Sequence, residues 1–375
     1  VSILILSKAA LPEALQYKKA LRVVTAFLFL GAVLLILSLF DPSLSFDPHH
    51  YNSYMGPIMG IRGGWISFVD MHSHYGLLPI YLVIWFLNFV PASYQAMAFI
   101  VSFSSSVQLL TVFLILRKIL TNKPKTYILS ILLILFYKFL VPFNINALPS
   151  ASGYRHLPTF ILLLSLCYLP KGKKFSIFSV LSLLFCSFWS FDQFLNGFII
   201  YATFLVCNGL IKKEPFFSQV KGLFVLFSMT LLAHGIYSLC VLLRFGVFPR
   251  YDLYFEILYQ FNVGGWWAYP VDISKLIFGF HLIFYSSVLA YTIKVIFTKD
   301  QSAREREWDS VKYIFIIAIA GIFQVQYFVG RSSEVALMIY SLPLGMIFTI
   351  LMARNLENGK LFFLNLAGKI MTVLA

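Results

Sequence analysis

The sequence predicts an all-α, polytopic helical membrane protein with about 10–11 transmembrane helices and a large first outer loop carrying juxtamembrane amphipathic helices. Three observations predict it. Of 375 residues, 60% are hydrophobic and 12% charged, with a mean hydropathy of +0.84, which is far from a water-soluble composition. Apolar runs approaching the roughly 20 residues that a spanning helix needs recur along the whole length. The net charge of +14 comes from basic residues set in short clusters between those runs. Such clusters mark topology rather than a basic face for nucleic acid, so no nucleic-acid partner is expected.

In chain order, runs at residues 22–40, 94–116, 126–143, 156–170, 174–190, 193–211, 222–243, 276–297, 313–329 and 335–353 are predicted to span. The first is of spanning length and lacks a small-residue cleavage pattern after it, so it is predicted to stay as an anchor. A shorter stretch, 77–90, ends before Pro91 and could cross or lie at the interface. The positive-inside rule decides. If 77–90 does not cross, the clusters at Lys18, Lys19 and Arg22, at Arg117, Lys118, Lys123 and Lys125, at Lys171, Lys173 and Lys174, at Lys212, Lys213 and Lys221, and at Lys294 to Lys312 share one side. The other side then holds only Arg62, Arg155, Arg244, Arg250, Lys275 and Arg331.

This gives a cytoplasmic segment at 1–21, a transmembrane domain at 22–353, and a cytoplasmic link at 354–375 that starts a further helix. Within the domain, the first outer loop covers 41–93 and a second large one 244–275. The chain starts without Met and stops inside a short apolar run, which suggests a piece of a longer protein.

Polar residues other than the topology markers gather on the outer side. The first loop brings Asp47, His49, His50, Asp70, His72 and His74 close in sequence, with four of the seven histidines. In an extended stretch Asp70, His72 and His74 would share one face. Carboxylate and imidazole together can hold a divalent metal such as Mg or Mn, or form an acid/base pair, and the alternative is a solvated loop that caps two helices. Asp192, in FWSFDQFLNG, interrupts an otherwise apolar pair of helices and either caps the second or serves a substrate. Arg331, in QVQYFVGRSSEVAL, precedes Ser-Ser at a helix start. It suits a phosphate or snorkels beside a Ser-capped helix. Trp266 and Trp267 could stack on a sugar or belong to the interfacial aromatic belt.

The four cysteines lie in apolar runs without paired spacing, which points to neither disulfides nor zinc. No phosphate-binding glycine loop is present, so no nucleotide cofactor is expected. His234 and His281 lie in apolar runs and read as core histidines rather than haem ligands.

The pattern resembles the C-type (GT-C) membrane glycosyltransferases, which use a polyprenyl-phosphate-linked sugar. The resemblance rests on FDPHH with its early acidic residue, on GPIMGIRGGWISFVD, on Tyr-Gly opening HYGLLPIYLVIWFL, and on FWSFD and YFVGRSSEVAL, in that order over residues 20–345. It implies an inverting transfer to an acceptor hydroxyl on the outer, periplasmic face of a bacterial inner membrane, in cell-envelope glycan biosynthesis. Carried onto this sequence, it implies Asp47 as general base, Arg331 neutralising the leaving phosphate, and Asp192 positioning the sugar as a third catalytic-site residue. His49, His50, Tyr75, Arg155, Arg250, Trp266 and Trp267 would bind substrate, and Asp70, His72 and His74 a metal. The implied partners are the lipid-linked donor, a glycan, lipid or protein acceptor, and membrane lipid. A non-catalytic transporter or flippase of lipid-linked sugars or polysaccharide, or a structural membrane subunit, are the alternatives.

Overall fold

The computed structural model describes residues 13–43, 48–73, 75–120, 124–140, 149, 152–263, 276–329, 337, 338 and 340–358. Among them the chain is all-helical, and its only strand-like feature is an isolated bridge between Ser67 and Met71. The helices are α1 (Glu13–Ser38), α2 (Pro48–Arg62), α3 (Leu78–Phe86), α4 (Tyr94–Ile119), α5 (Pro124–Leu140), α6 (Gly153–Cys167), α7 (Ile177–Trp189), α8 (Phe191–Ile211), α9 (Phe216–Phe245), α10 (Tyr251–Val263), α11 (Leu276–Ile296), α12 (Gln301–Val329) and α13 (Leu342–Asn358).

Ten of these coincide with the apolar runs read as spans. Five contain segments long and apolar enough to cross a membrane (Tyr94–Ile119, Phe191–Ile211, Phe216–Phe245, Phe278–Ile296 and Gln301–Val325), and four shorter apolar segments accompany them. The protein is a polytopic helical membrane protein. The last helix starts later than the hydropathy suggests because Pro343, lacking a backbone N–H, fits the first turn of a helix and not its interior.

Local sequence sets the helix ends. Ser93 accepts from the Ala96 amide at 3.1 Å to open α4, and Arg117 and Lys118 close it, where cations favour the negative end of the helix dipole. Ser176 and Ser179 cap α7 reciprocally.

Stretch 77–90 forms a helix of 9 residues, about 14 Å long, which cannot cross a core of about 30 Å. It is apolar on both faces rather than amphipathic. Pro79, Ile80 and Val83 are buried, while Tyr81, Leu82 and Trp85 are exposed, as suits a helix embedded at the membrane boundary with lipid on its outer side.

Two layers of core follow. The main one runs through the bundle, from Ala32 and Ile36 of α1 to Ile350 and Leu351 of α13. The second lies at one end of the bundle, where Tyr51, Tyr54 and Ile58 of α2 and Ile80 and Val83 of α3 pack with Met97, Ile100 and Val101 of α4, with Tyr154 and with Trp189.

Helices α6 and α7 have only 15 and 13 residues, about 22 and 20 Å. Neither reaches across the bilayer core alone. Helices α2 and α3 and the turn before α3 roof the ends of α6 and α7 that carry Tyr154 and Trp189.

Two glycines make that roof fit. Gly153 opens α6 where a Cβ would lie 2.4 Å from Ser105 Cα of α4, so only glycine lets the two helices approach. Gly76 has φ +74°, and a Cβ there would lie 2.4 Å from the Trp189 carbonyl oxygen. The next amide, of Leu77, donates to the Phe188 carbonyl at 3.0 Å, which satisfies one of the acceptors that the end of α7 leaves open. Gly76→Ala is expected to lower the thermal midpoint of the detergent-purified protein by the equivalent of about 2–4 kcal/mol. Gly172→Ala, also at positive φ (+82°) but in open space, is expected to cost only about 1 kcal/mol. Equal losses would remove the close-approach explanation.

Candidate functional site

The outer ends of α6, α7 and α8 meet under the roof. Ser190, with extended φ −169° and ψ 161°, ends α7 and caps α8, its hydroxyl accepting from the Gln193 amide at 3.4 Å. The cap position is therefore Ser190, and Asp192 falls in the first turn of α8 with its carboxylate available for another partner.

That partner is Arg155. Its Nε lies 3.1 Å from Asp192 Oδ2. Ser152 caps α6 by accepting from Tyr154 N at 3.2 Å, which places Arg155 in the first turn, where the helix dipole disfavours a cation. With the Arg155 side chain 7% exposed, an unpaired guanidinium there would carry a desolvation cost of several kcal/mol. Asp192, 32% exposed, supplies the counter-charge, and its own place at the positive end of α8 suits it. The pair has the buried cation behind and the carboxylate toward open space.

Two further groups hold the carboxylate, and a third braces the backbone beside it. Gln193 Nε2 donates to Oδ2 at 3.2 Å, the Ser190 hydroxyl also bonds it, and the Tyr254 hydroxyl of α10 accepts from the neighbouring Phe191 amide at 3.1 Å. Arg155 lies over the Tyr75 ring at 5.3 Å. Tyr75 in turn stacks on Tyr54 at 4.0 Å. Tyr154 packs edge-on to Trp189 and donates to the Pro79 carbonyl at 2.5 Å, tying the site to α3.

The rest of the first loop builds a second structure beside this one. Asp70 Oδ2 accepts from the Ile66 amide at 2.7 Å and closes a tight turn. At its centre Phe68 adopts φ +63°, uncommon for a bulky side chain, and is buried among Tyr237, Tyr251 and Tyr254. The turn is fastened to the α9–α10 corner: the Arg250 amide donates to Phe68 O at 2.6 Å, Tyr237 OH donates to Ser67 O at 3.2 Å, and His72 Nε2 donates to Arg250 O at 3.1 Å. Arg250 itself is exposed and grips Asp252 with two nitrogens, Nε at 2.9 Å and Nη2 at 2.6 Å, holding that carboxyl down to about 2.

Tyr75, Arg155 and Asp192 are thus brought together, while Arg250 pairs at the rim. Asp70 and His72 are each committed to the turn, and among the described residues no group of three or more His, Cys, Asp or Glu side chains could hold a metal ion. The described residues do not fit a metal centre. Asp47, His74, Trp266, Trp267 and Arg331 lie outside the described residues, as do the side chains of His49 and His50. His234 stacks on Phe188 at 4.4 Å, a packing role. Sequence reasoning missed Ser190, Gln193, Thr159 and Tyr254. The available signal was spacing, since Thr159 lies four residues after Arg155 and so shares its face of α6.

No protein-family model matches the sequence, and no curated protein matches it. Among solved structures the chain is similar to the crystal structure of the Archaeoglobus fulgidus oligosaccharyltransferase complex with Zn and sulfate, with a TM-score of 0.48 and 12% identity, covering 92% of this chain and 51% of that one. The chain spans about half the length of that structure.

The unequal burial of the ion pair predicts unequal costs. Asp192→Ala strands the buried guanidinium and is expected to lose about 3–4 kcal/mol, whereas Arg155→Met leaves a partly exposed carboxylate at a helix N-terminus and is expected to lose about 1–2 kcal/mol. A double-mutant cycle on thermal stability in detergent should give a coupling of about 1–3 kcal/mol. Additive effects would mean that the two side chains do not interact.

Proposed function

We propose that the chain is an integral membrane glycosyltransferase that moves a sugar from a polyprenyl-phosphate donor to an acceptor hydroxyl on the outer face of a bacterial inner membrane, with inversion. One observation carries this proposal: a partly exposed carboxylate, Asp192, paired with the buried Arg155 where α6, α7 and α8 meet under the α2–α3 roof. A lipid-linked donor lies with its chain in the bilayer and its phosphate and sugar near the membrane boundary, so a polar site there meets the reacting end without lifting it into water. Carboxylates accept hydroxyl hydrogen bonds in charge-assisted form, which suits the partly exposed Asp192 to a sugar hydroxyl.

In this proposal Asp47 takes the proton from the acceptor hydroxyl. The acceptor oxygen forms its bond to the anomeric carbon from the side opposite the phosphate as the bond from that carbon to the phosphate oxygen breaks, and polyprenyl phosphate leaves with the electron pair. Arg331 balances the charge that grows on the departing phosphate. Asp192 binds and orients the sugar. His49, His50, Arg250, Trp266 and Trp267 line the approach of donor and acceptor.

A charged pair among membrane-spanning helices also suits a transporter of lipid-linked sugars, whose polar groups sit inside the bilayer thickness. Release of polyprenyl phosphate from a panel of polyprenyl-phosphate sugars separates the two. Wild type is expected to release it, Asp47→Asn to lose about 100-fold or more in kcat, and Asp192→Asn to lose mainly in KM; chelator would slow release only if a metal takes part. Full activity of Asp47→Asn would remove it as the base. Donor binding without release from any donor would point to the transporter.

A further inference from the structure

Beneath Asp192 lies a chain of side chains with a fixed direction. Gln193 is fully buried and Thr159 and His156 nearly so. Gln193 Nε2 lies 3.2 Å from Asp192 Oδ2 and a longer 3.4 Å from His156 Nδ1, while its Oε1 lies 2.6 Å from the Thr159 hydroxyl.

The charge of Asp192 orders the whole chain. An ionised carboxylate only accepts, so the amide must turn its NH2 toward Asp192 and its oxygen toward Thr159. Thr159 then donates to that oxygen. The second amide hydrogen points at His156 Nδ1, which must accept, so His156 is neutral and carries its proton on Nε2. Each member fixes the next, and the opposite orientation would set the amide oxygen against the carboxylate.

We propose that Gln193, locked by Thr159, is a positioning residue that keeps Asp192 in one rotamer with its accepting edge turned to the donor sugar's hydroxyls. The role rests on the transferase assignment above and extends it, because neither Gln193 nor Thr159 touches the sugar. Arg155 and Gln193 both donate to Oδ2 and the Ser190 hydroxyl also bonds the carboxylate, so substrate is recognised through the part that stays exposed. The donor class that follows is a sugar with a free hydroxyl directed at that edge, and a deoxy analogue at the same position is rejected because the ionised acceptor is left unpaired.

The test uses the full chain in lipid nanodiscs. Histidine labelled with 15N is observed by solid-state NMR, and His156 is assigned by difference with His156→Gln. Polyprenyl phosphate release is followed for wild type, Thr159→Ser, Thr159→Val and Gln193→Leu. Wild type and Thr159→Ser are expected to show His156 protonated on Nε2 with full turnover. Thr159→Val, close in shape and thus the variant that keeps the fold, should show a population protonated on Nδ1 and about a 10- to 100-fold loss in kcat/KM, with Gln193→Leu at least as impaired. Wild-type kcat/KM in both Thr159→Val and Gln193→Leu, or His156 protonated on Nδ1 in wild type, would overturn the positioning role while leaving the transferase assignment standing. A wild-type protein that releases nothing from any donor would overturn the transferase assignment, and this role with it.

Discussion

A buried guanidinium has to be matched by a carboxylate, and one end of this helical bundle is arranged around that requirement. Arg155 stands in the first turn of α6, with the helix dipole against it. Only an adjacent anion makes the position tenable. Asp192 can be that anion because Ser190 takes over the capping of α8 and frees the next carboxylate but one for Arg155.

The two outer loops hold the corner between α7 and α8 from opposite sides. From the first, Gly76 and Leu77 seat on the open carbonyls at the end of α7. From the second, Tyr254 takes the first free amide of α8. The left-handed backbone at Phe68 is held by the Arg250 amide and by an aromatic socket that includes Tyr254 itself, so the loops are fastened to one another as well as to the site. Local strain of this kind persists where surrounding contacts over-determine it.

Much of the fold was legible because hydropathy and charge act on long segments. Ten apolar runs became ten helices, and 77–90, read as interfacial from the charges, holds a helix of nine residues, too short to cross a bilayer core alone. The site was legible only in its charged members. Asp192 and Arg155 stand out in an apolar sequence, but their pairing joins residues 37 positions apart, which no local pattern encodes. Gln193 and Thr159 are ordinary polar residues whose importance comes from burial. The alternation expected at Asp70 and His72 failed because Asp70 folds back on the Ile66 amide and makes a turn of what was read as an extended stretch. Capping of α8 went to Ser190 rather than Asp192 because a serine preceded it in the right backbone geometry.

In the proposed function the sugar of a polyprenyl-phosphate donor binds at the Asp192–Arg155 pair. The most direct measurement is photo-crosslinking with a polyprenyl-phosphate sugar carrying a diazirine on the sugar ring, followed by peptide mapping in wild type and Asp192→Asn. The account predicts labelling of peptides containing Tyr75 and residues 189–193, competed by unlabelled donor and lost in Asp192→Asn. Competed labelling confined to other parts of the chain, unchanged in Asp192→Asn, would contradict it.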